Sequence, residues 1–366
     1  MKLIFYTLNN LFKYNQPFQL EAGGILPELE LAYQTLGELN KDCSNVVWIC
    51  HAFTGSHDVE DWWQGLVGRG KLYNPDRHFI ICVNVLGSHY GSTGPLSINP
   101  ATGEPYYHTF PFITIRDIVN SFDLLREHLG IQKIKTCIGG SLGGQQAVEW
   151  AISQPDLIKN LILIATNAQH SPWGIAFNES QRMAIEVDPT WKESHPQAGI
   201  EGMKAARATA LISYRNYETY GITQARNDEP LGKAHRAMGY QRYQGEKLAQ
   251  RFNAYSYYVL SQVMDSQDVG RGRGGLVQAL SQIKAKTLVM GIKSDTLFPI
   301  NEQAFLAKHI PGATFQALDS LYGHDGFLIE SQLITKAIKL WKKFVRLDVN
   351  PMYDFFKRLE KKEVAF

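Results

Sequence analysis

Ile134-Lys135-Thr136-Cys137-Ile138 runs straight into Gly139-Gly140-Ser141-Leu142-Gly143, and Gln145 to Ala151 follows with helical character. A short apolar, β-branched strand, a tight turn of glycines around one serine and then a helix make a G-x-S-x-G elbow. The turn is strained, so small residues must flank the serine. The predicted result places Ser141 Oγ at the tip of a sheet, above a helix N-terminus. The five-residue pattern alone also fits a glycine-rich turn with an incidental serine. The flanking strand and helix are what favour a nucleophile.

The rest of the chain supplies the sheet that such an elbow needs. Val46 to Cys50, Phe79 to Val83, Ile134 to Ile138 and Leu161 to Ile164 are short, nearly continuous apolar runs, as expected of parallel strands buried on both faces. Helical stretches at Asp117 to His128 and Gln145 to Ser153 separate several of them. Leu29, Leu31, Tyr33 and Thr35 alternate with polar or small residues, which predicts an antiparallel strand with one wet face, and Gly23-Gly24 before it suggests a hairpin turn. From about Asn167 to Gln282 strand-like runs vanish; Gly202 to Tyr214 and Glu246 to Met264 read as helices. The sheet resumes at Thr287 to Met290 and Thr314 to Leu318, and a helix follows from Ser331 to Val345. The expectation is an α/β-hydrolase fold: a mostly parallel sheet with helices on both faces and an inserted helical lid. The first part of the core takes residues 1–166, the lid 167–282, and the second part of the core with a charged, aromatic tail 283–366.

Composition narrows the function. At 366 residues, 44% hydrophobic and 20% charged, the chain is an ordinary globular protein, long enough for a large core plus an insertion. A formal net charge of +2, with basic residues massed only in the tail around Lys357 to Lys362, argues against nucleic acid as a partner. The N-terminus lacks a signal-peptide pattern and no apolar run reaches membrane-spanning length, so the expected location is the cytoplasm, with no membrane partner. Cys43, Cys50, Cys82 and Cys137 are expected to be buried, reduced thiols. No metal is expected: His51, His57 and Asp58 form the nearest cluster, and their spacing matches no zinc pattern.

A serine nucleophile needs a base, and the base needs an orienting acid. On this fold they follow in the order serine, acid, histidine, each on a loop after a later strand. The strand ending at Met290 leads to Asp295, and the strand ending at Leu318 leads to His324. Asp325 competes for the role of acid, but it adjoins His324 in sequence, and neighbouring loop side chains usually point apart. Asp295 is therefore assigned as the acid, leaving Asp325 for substrate. The oxyanion hole needs two backbone N–H groups: one from Leu142, the other from Phe53 or Thr54 in the loop His51-Ala52-Phe53-Thr54-Gly55. His51, at a strand exit, reads as a structural, hydrogen-bonded histidine.

With these residues in place, the chain resembles the homoserine O-acetyltransferase family, α/β-hydrolase-fold acyltransferases of methionine biosynthesis. The resemblance covers about residues 15–345. It includes His51 to Gly55, Asp61-Trp62-Trp63, Asn84 to Ser88, Tyr90-Gly91-Ser92-Thr93-Gly94-Pro95, Phe110-Pro111, Thr114-Ile115-Arg116-Asp117, Ser213-Tyr214-Arg215, Arg251 to Ala254 and Gly323-His324-Asp325. It implies Ser141 as nucleophile, Asp295 as acid, His324 as base, and the Phe53 and Leu142 amides as the oxyanion hole. It further implies that Arg215 holds an amino-acid carboxylate and Asp325 the ammonium. That pairing suits a zwitterion, since arginine can grip a carboxylate through two bonds. His89 stands where relatives often carry cysteine, and Phe53 where leucine is common.

The expected activity is transfer of an acetyl group from acetyl-CoA, as co-substrate, to the hydroxyl of L-homoserine, by a ping-pong route through an acyl-serine and with no bound cofactor. The resemblance also implies a homodimer. Alternatives are a homoserine or serine O-succinyltransferase on the same scaffold, an esterase or thioesterase using water, and a catalytically silent binding protein.

Overall fold

The computed structural model describes residues 8–225 and 235–347. The tail beyond residue 347 lies outside them, and with it the expectation that a charged, aromatic segment packs there or frays.

The chain opens with β1 (Leu8–Tyr14), the short hairpin β2 (Phe18–Gln19) and β3 (Ile25–Leu26), and β4 (Leu29–Leu36). It continues through β5 (Val46–Cys50), α1 (Val59–Trp62), β6 (Phe79–Val83), α2 (Ile115–His128), β7 (Thr136–Gly140), α3 (Leu142–Ser153) and β8 (Asn160–Ile164). Then come α4 (Pro172–Glu186), α5 (Ile200–Tyr214), α6 (Tyr217–Thr223), α7 (Arg236–Ala249), α8 (Ala254–Asp265) and α9 (Leu276–Leu280) before the sheet resumes with β9 (Lys286–Ile292). The last elements are α10 (Ile300–His309), β10 (Thr314–Leu318), α11 (Gly326–Ile329) and α12 (Ser331–Leu347).

Eight strands form one sheet in the order β1-β4-β6-β5-β7-β8-β9-β10. β1/β4 and β4/β6 pair antiparallel; every pair from β6/β5 onward is parallel. The period of two along a strand divides its side chains between two cores. Val46, Trp48 and Cys50 face the core formed with α2 and α3, while Val47 and Ile49 face the one that contains Trp63, Ile334 and Trp341. Both faces are thus buried, which is why the parallel strands read as unbroken apolar runs.

Strand order places the site. β5 leads to β6 on one side, and the chain then crosses back to β7 on the other, so β5 and β7 are neighbours whose following loops diverge. Crevices form at such a switch point, outside the strand C-termini. Cys50 pairs with Gly139 in register, so the loop after β5 and the turn after β7 leave the sheet side by side.

Four local expectations are corrected. The face of β4 expected to be wet meets solvent only at Glu30: Ala32 and Gln34 are buried, because β4 lies between β1 and β6 and Gln34 Oε1 accepts the Val59 N–H at 3.1 Å. Gly23 and Gly24 close the β2/β3 hairpin rather than one leading into β4, with Leu20 N–H donating to Gly24 O at 2.8 Å and Gly23 at φ 93°. β7 begins at Thr136, not Ile134, and carries both Gly139 and Gly140 as strand residues; Ile134 makes only an isolated bridge to Ile158. The helix expected from Glu246 to Met264 is two helices, α7 and α8, and Asn253 caps the second by accepting the Ser256 N–H at 2.8 Å.

Candidate active site

Ser141 sits between β7 and α3 with φ 57° and ψ −128°, a conformation that L-residues rarely adopt. The surrounding glycines make that turn possible. A Cβ on Gly139 would lie 2.2 Å from Gly143 O, and one on Gly143 would lie 2.1 Å from Cys50 O. Backbone therefore presses on backbone on both sides of the serine, and Ser141 N–H is anchored to Ile164 O of β8 at 3.0 Å.

The fold brings Asp295 and His324 to this point from the loops after β9 and β10. His324 Nε2 lies 2.8 Å from Ser141 Oγ, and His324 Nδ1 lies 2.7 Å from Asp295 Oδ2. All three are buried, at 5% exposure or less. Asp295 is fixed by its other oxygen, Oδ1, which accepts the N–H groups of Leu297 and Phe298, both at 2.9 Å. The Phe298 ring stacks on His324 at 4.9 Å and 17°. A carboxylate on Nδ1 leaves Nε2 to accept a proton from the serine, an arrangement able to generate an alkoxide at neutral pH.

The oxyanion donors expected from sequence lie beside it. Leu142 is the first residue of α3, where N–H groups have no partner within the helix. Neither its N–H nor that of Phe53 donates to a backbone acceptor among the described residues. His51 holds the Phe53 loop: Nε2 accepts the Val85 N–H at 2.9 Å and Nδ1 lies 2.9 Å from Ala52 O. Burial pushes its pKa down to about 4, so the ring is neutral, and both nitrogens are used structurally.

A cavity above Ser141 is walled by Phe53, Thr54, Trp62, Arg207, Tyr214, Arg251, His324, Asp325 and Leu328, among others. Asp325 Oδ2 lies 2.9 Å from Arg215 Nε, although the N–H does not point along that line, so the contact is Coulombic rather than a hydrogen bond. Burial raises the Asp325 pKa against the opposing pull of Arg215 and Arg207. Burial likewise pushes the Tyr214 phenol up to about 12, keeping it neutral. His89 is placed elsewhere: its Nδ1 accepts from Asn253 Nδ2 at 2.8 Å at the start of α8. The four cysteines are buried and free. Among the described residues no cluster of three metal-binding side chains occurs.

Three residues near the site carry no signal of their own in the sequence. Phe298 and Glu302 follow Asp295 without any motif. Glu302 Oε2 accepts from Asn167 Nδ2 at 3.0 Å, Asn167 Oδ1 accepts from Gln145 of α3 at 3.0 Å, and burial pushes the Glu302 pKa up to about 7. Arg207 shares a face of α5 with Leu211 and Tyr214, at spacings of four and seven, and that periodicity alone could have pointed to it.

The string Thr114 to Asp117 is explained by anchoring. Thr114 and Asp117 form a capping box at the start of α2. Arg116 reaches Glu21 at 2.7 Å and Glu149 of α3 at 3.3 Å, and Arg273, between α8 and α9, grips the same buried Glu149 at 2.5 Å. The segment between α8 and α9 is thereby tied to the helix that begins at the serine.

The chain matches the α/β-hydrolase fold family over residues 45–331. It is 48% identical to a homoserine O-acetyltransferase of Cyclobacterium marinum over 329 residues, 90% of this chain and 93% of that one. The chain belongs to the homoserine O-acetyltransferase family. Solved structures similar to it include a homoserine O-acetyltransferase from Bacillus anthracis, with TM-score 0.84, 25% identity and coverage of 92% of this chain and 97% of that one. Esterase E22 is also similar, with TM-score 0.83, 26% identity and coverage of 92% and 100%.

Proposed function

We propose that this protein moves the acetyl group of acetyl-CoA to the hydroxyl of L-homoserine, a step of methionine biosynthesis, through an acyl-enzyme on Ser141. The observation that carries the reading is the hydrogen-bonded series Ser141–His324–Asp295 opening into a cavity that also holds Asp325 beside guanidinium groups. The 48% identity to a homoserine O-acetyltransferase supports the choice of donor and acceptor. Residues 167–282 act as the insertion that roofs the site on a core of 1–166 and 283–366.

In the first half-reaction Ser141 Oγ attacks the thioester carbonyl as its proton passes to His324 Nε2. The Phe53 and Leu142 N–H groups stabilise the tetrahedral oxyanion. The C–S bond then breaks, the proton on Nε2 passes to sulfur, and CoA leaves. In the second half-reaction the homoserine hydroxyl gives its proton to Nε2 and attacks the acyl carbon. The C–O bond to Ser141 breaks and the serine is reprotonated. Asp325 meets the acceptor's ammonium and Arg215 its carboxylate, which orients the hydroxyl and gives it an advantage over water.

The deciding experiment measures free-thiol release from acetyl-CoA with and without L-homoserine, with succinyl-CoA and L-serine in parallel. Release that requires both acetyl-CoA and homoserine supports the reading. A preference for succinyl-CoA or serine reassigns the donor or the acceptor. A second reading, an esterase or thioesterase, draws on the likeness to esterase E22; release indifferent to any amino acid would establish it and remove the roles given to Arg215 and Asp325.

We further propose a homodimer working in the cytoplasm. Ile212, Tyr217 and Ile222 expose apolar surface on the inserted helices, Tyr217 at 93%, as expected of a self-association face. No helix among the described residues is long and apolar enough to cross a membrane. Light scattering on the purified protein tests the dimer: a mass near 41.3 kDa would exclude it.

A further inference from the structure

We infer that Thr166 is a positioning residue for the oxyanion hole: its hydroxyl holds the Ser141–Leu142 peptide so that the Leu142 N–H faces the reacting carbonyl. The inference rests on the acyl-serine reading above and deepens it.

The exit of β8 grips Ser141 on both sides of its α-carbon. The Ser141 N–H donates to Ile164 O at 3.0 Å, and the Ser141 carbonyl oxygen accepts from Thr166 Oγ1 at 2.9 Å. Ala165 lies between the two gripping residues with φ 45°, rare for an L-residue, and its N–H is fixed by Met290 O of β9 at 2.9 Å. Two strained residues therefore stand at the ends of neighbouring strands, Ser141 after β7 and Ala165 after β8. Such backbone persists only where its surroundings over-determine it. Thr166 is itself fully buried, and its carbonyl accepts from Gln303 Nε2 of α10 at 2.8 Å. Gly144 belongs to the same arrangement. A Cβ there would lie 2.5 Å from Thr166 Cβ, so glycine is what lets α3 come this close to the threonine.

One peptide unit joins this grip to the chemistry. Ser141 C=O and Leu142 N–H are the two ends of a single planar, trans amide, so they point in opposite directions. Whatever fixes the carbonyl therefore aims the N–H. The carbonyl also accepts the Gly144 and Gln145 N–H groups, at 2.9 and 3.1 Å, but both belong to α3 and turn with it. Thr166 supplies the hold from the sheet. It opposes the rotation about Ser141 ψ that would swing the Leu142 N–H aside. Donors fixed in this way need no reorganisation when charge develops on the carbonyl oxygen.

Acylation of Ser141 tests this without reference to any acceptor. Pre-steady-state release of p-nitrophenol from p-nitrophenyl acetate gives the acylation rate constant separately from the half-saturating ester concentration. Thr166→Val removes the hydroxyl and keeps the side-chain shape, whereas Thr166→Ser keeps the hydroxyl. In Thr166→Val the rate constant is expected to fall about 10–100-fold, less than the roughly 10²–10³-fold cost of deleting an oxyanion donor outright. The half-saturating concentration should not change, and Thr166→Ser should recover most of the rate. A Thr166→Val protein acylated at the native rate overturns the inference, as does a loss that Thr166→Ser shares in full or a change confined to the half-saturating concentration. If Thr166→Val fails to fold, Gln303→Met loosens the threonine from behind, with an expected fall of about 3–10-fold, the worth of one neutral hydrogen bond; a native rate there overturns the inference. If the native protein forms no acyl-serine at all, the acyl-enzyme reading fails first and takes this one with it.

Discussion

Arg215 Nε lies 2.9 Å from Asp325 Oδ2, so the two residues assigned to opposite ends of one acceptor are themselves an ion pair. Asp325 is thereby held in orientation, and its carboxylate form is needed to meet an ammonium. Asp325→Asn is expected to raise KM for homoserine by about 30-fold or more, since the charge set against the acceptor's ammonium is removed. The pH dependence follows from burial, which raises the Asp325 pKa above the ordinary carboxylate value. Below that raised pKa the group is neutral, so 1/KM for homoserine should fall as pH drops through it. The acid limb should vanish in Asp325→Asn. An identical limb in the variant would assign the titration to another group.

Asp295 takes two N–H groups on Oδ1 and His324 on Oδ2. In Asp295→Asn the side-chain oxygen can keep the two N–H groups, which turns the amide NH₂ toward His324. Nδ1 must then accept, Nε2 carries the proton, and the serine loses its base. A fall in kcat of about 10⁴-fold with little change in melting temperature is expected. Near-native turnover in this variant would place the acid elsewhere.

Gly143→Ala sets two effects against each other. Alanine in place of glycine inside a helix ordinarily gains about 1 kcal/mol. Here its Cβ would lie 2.1 Å from Cys50 O, a backbone atom of β5 that cannot step aside without moving the sheet. Clash wins, and denaturant unfolding should report a net loss of about 1–3 kcal/mol. Because β5 leads into the Phe53 loop, activity should fall too. A stabilised variant would mean that the elbow is looser than described.

Glu302 is raised to about 7 by burial. Its unfolded-state pKa is lower, so the folded state binds this proton more tightly. The resulting stability is fully present below the unfolded value and is lost as pH rises through about 7. Glu302→Gln keeps an oxygen for Asn167 and has no proton to lose. Its melting temperature should therefore decline less than the native protein's between mildly acidic pH and pH 8. Parallel declines in the two proteins would show that Glu302 does not titrate there.

The sheet was legible wherever both faces are buried, because such strands carry no polar interruption; β6 was read at its true bounds, Phe79–Val83. The elbow glycines were read as turn although they belong to β7, because glycine's local preference says nothing of its pairing with Cys50 and Ile164. Gln34 misled for the same reason: a polar residue looks solvated until tertiary structure gives it a partner. Chain order after successive strands was enough to name Ser141, Asp295 and His324, which the fold brings within hydrogen-bond distance. Arg207, Phe298 and Glu302 were not legible, since each reaches the site through packing between elements distant in sequence. Helical periodicity hinted at the first of them only.

The backbone of Ser141, at φ 57° and ψ −128°, lies where glycine goes freely and serine does not. Ser141 is thus its own local source of instability, on the order of 1–3 kcal/mol. Ser141→Gly should give an inert protein that unfolds at a higher temperature than the native one. If so, selection for thermal robustness alone would drift toward losing the serine, and only demand for the reaction keeps it there.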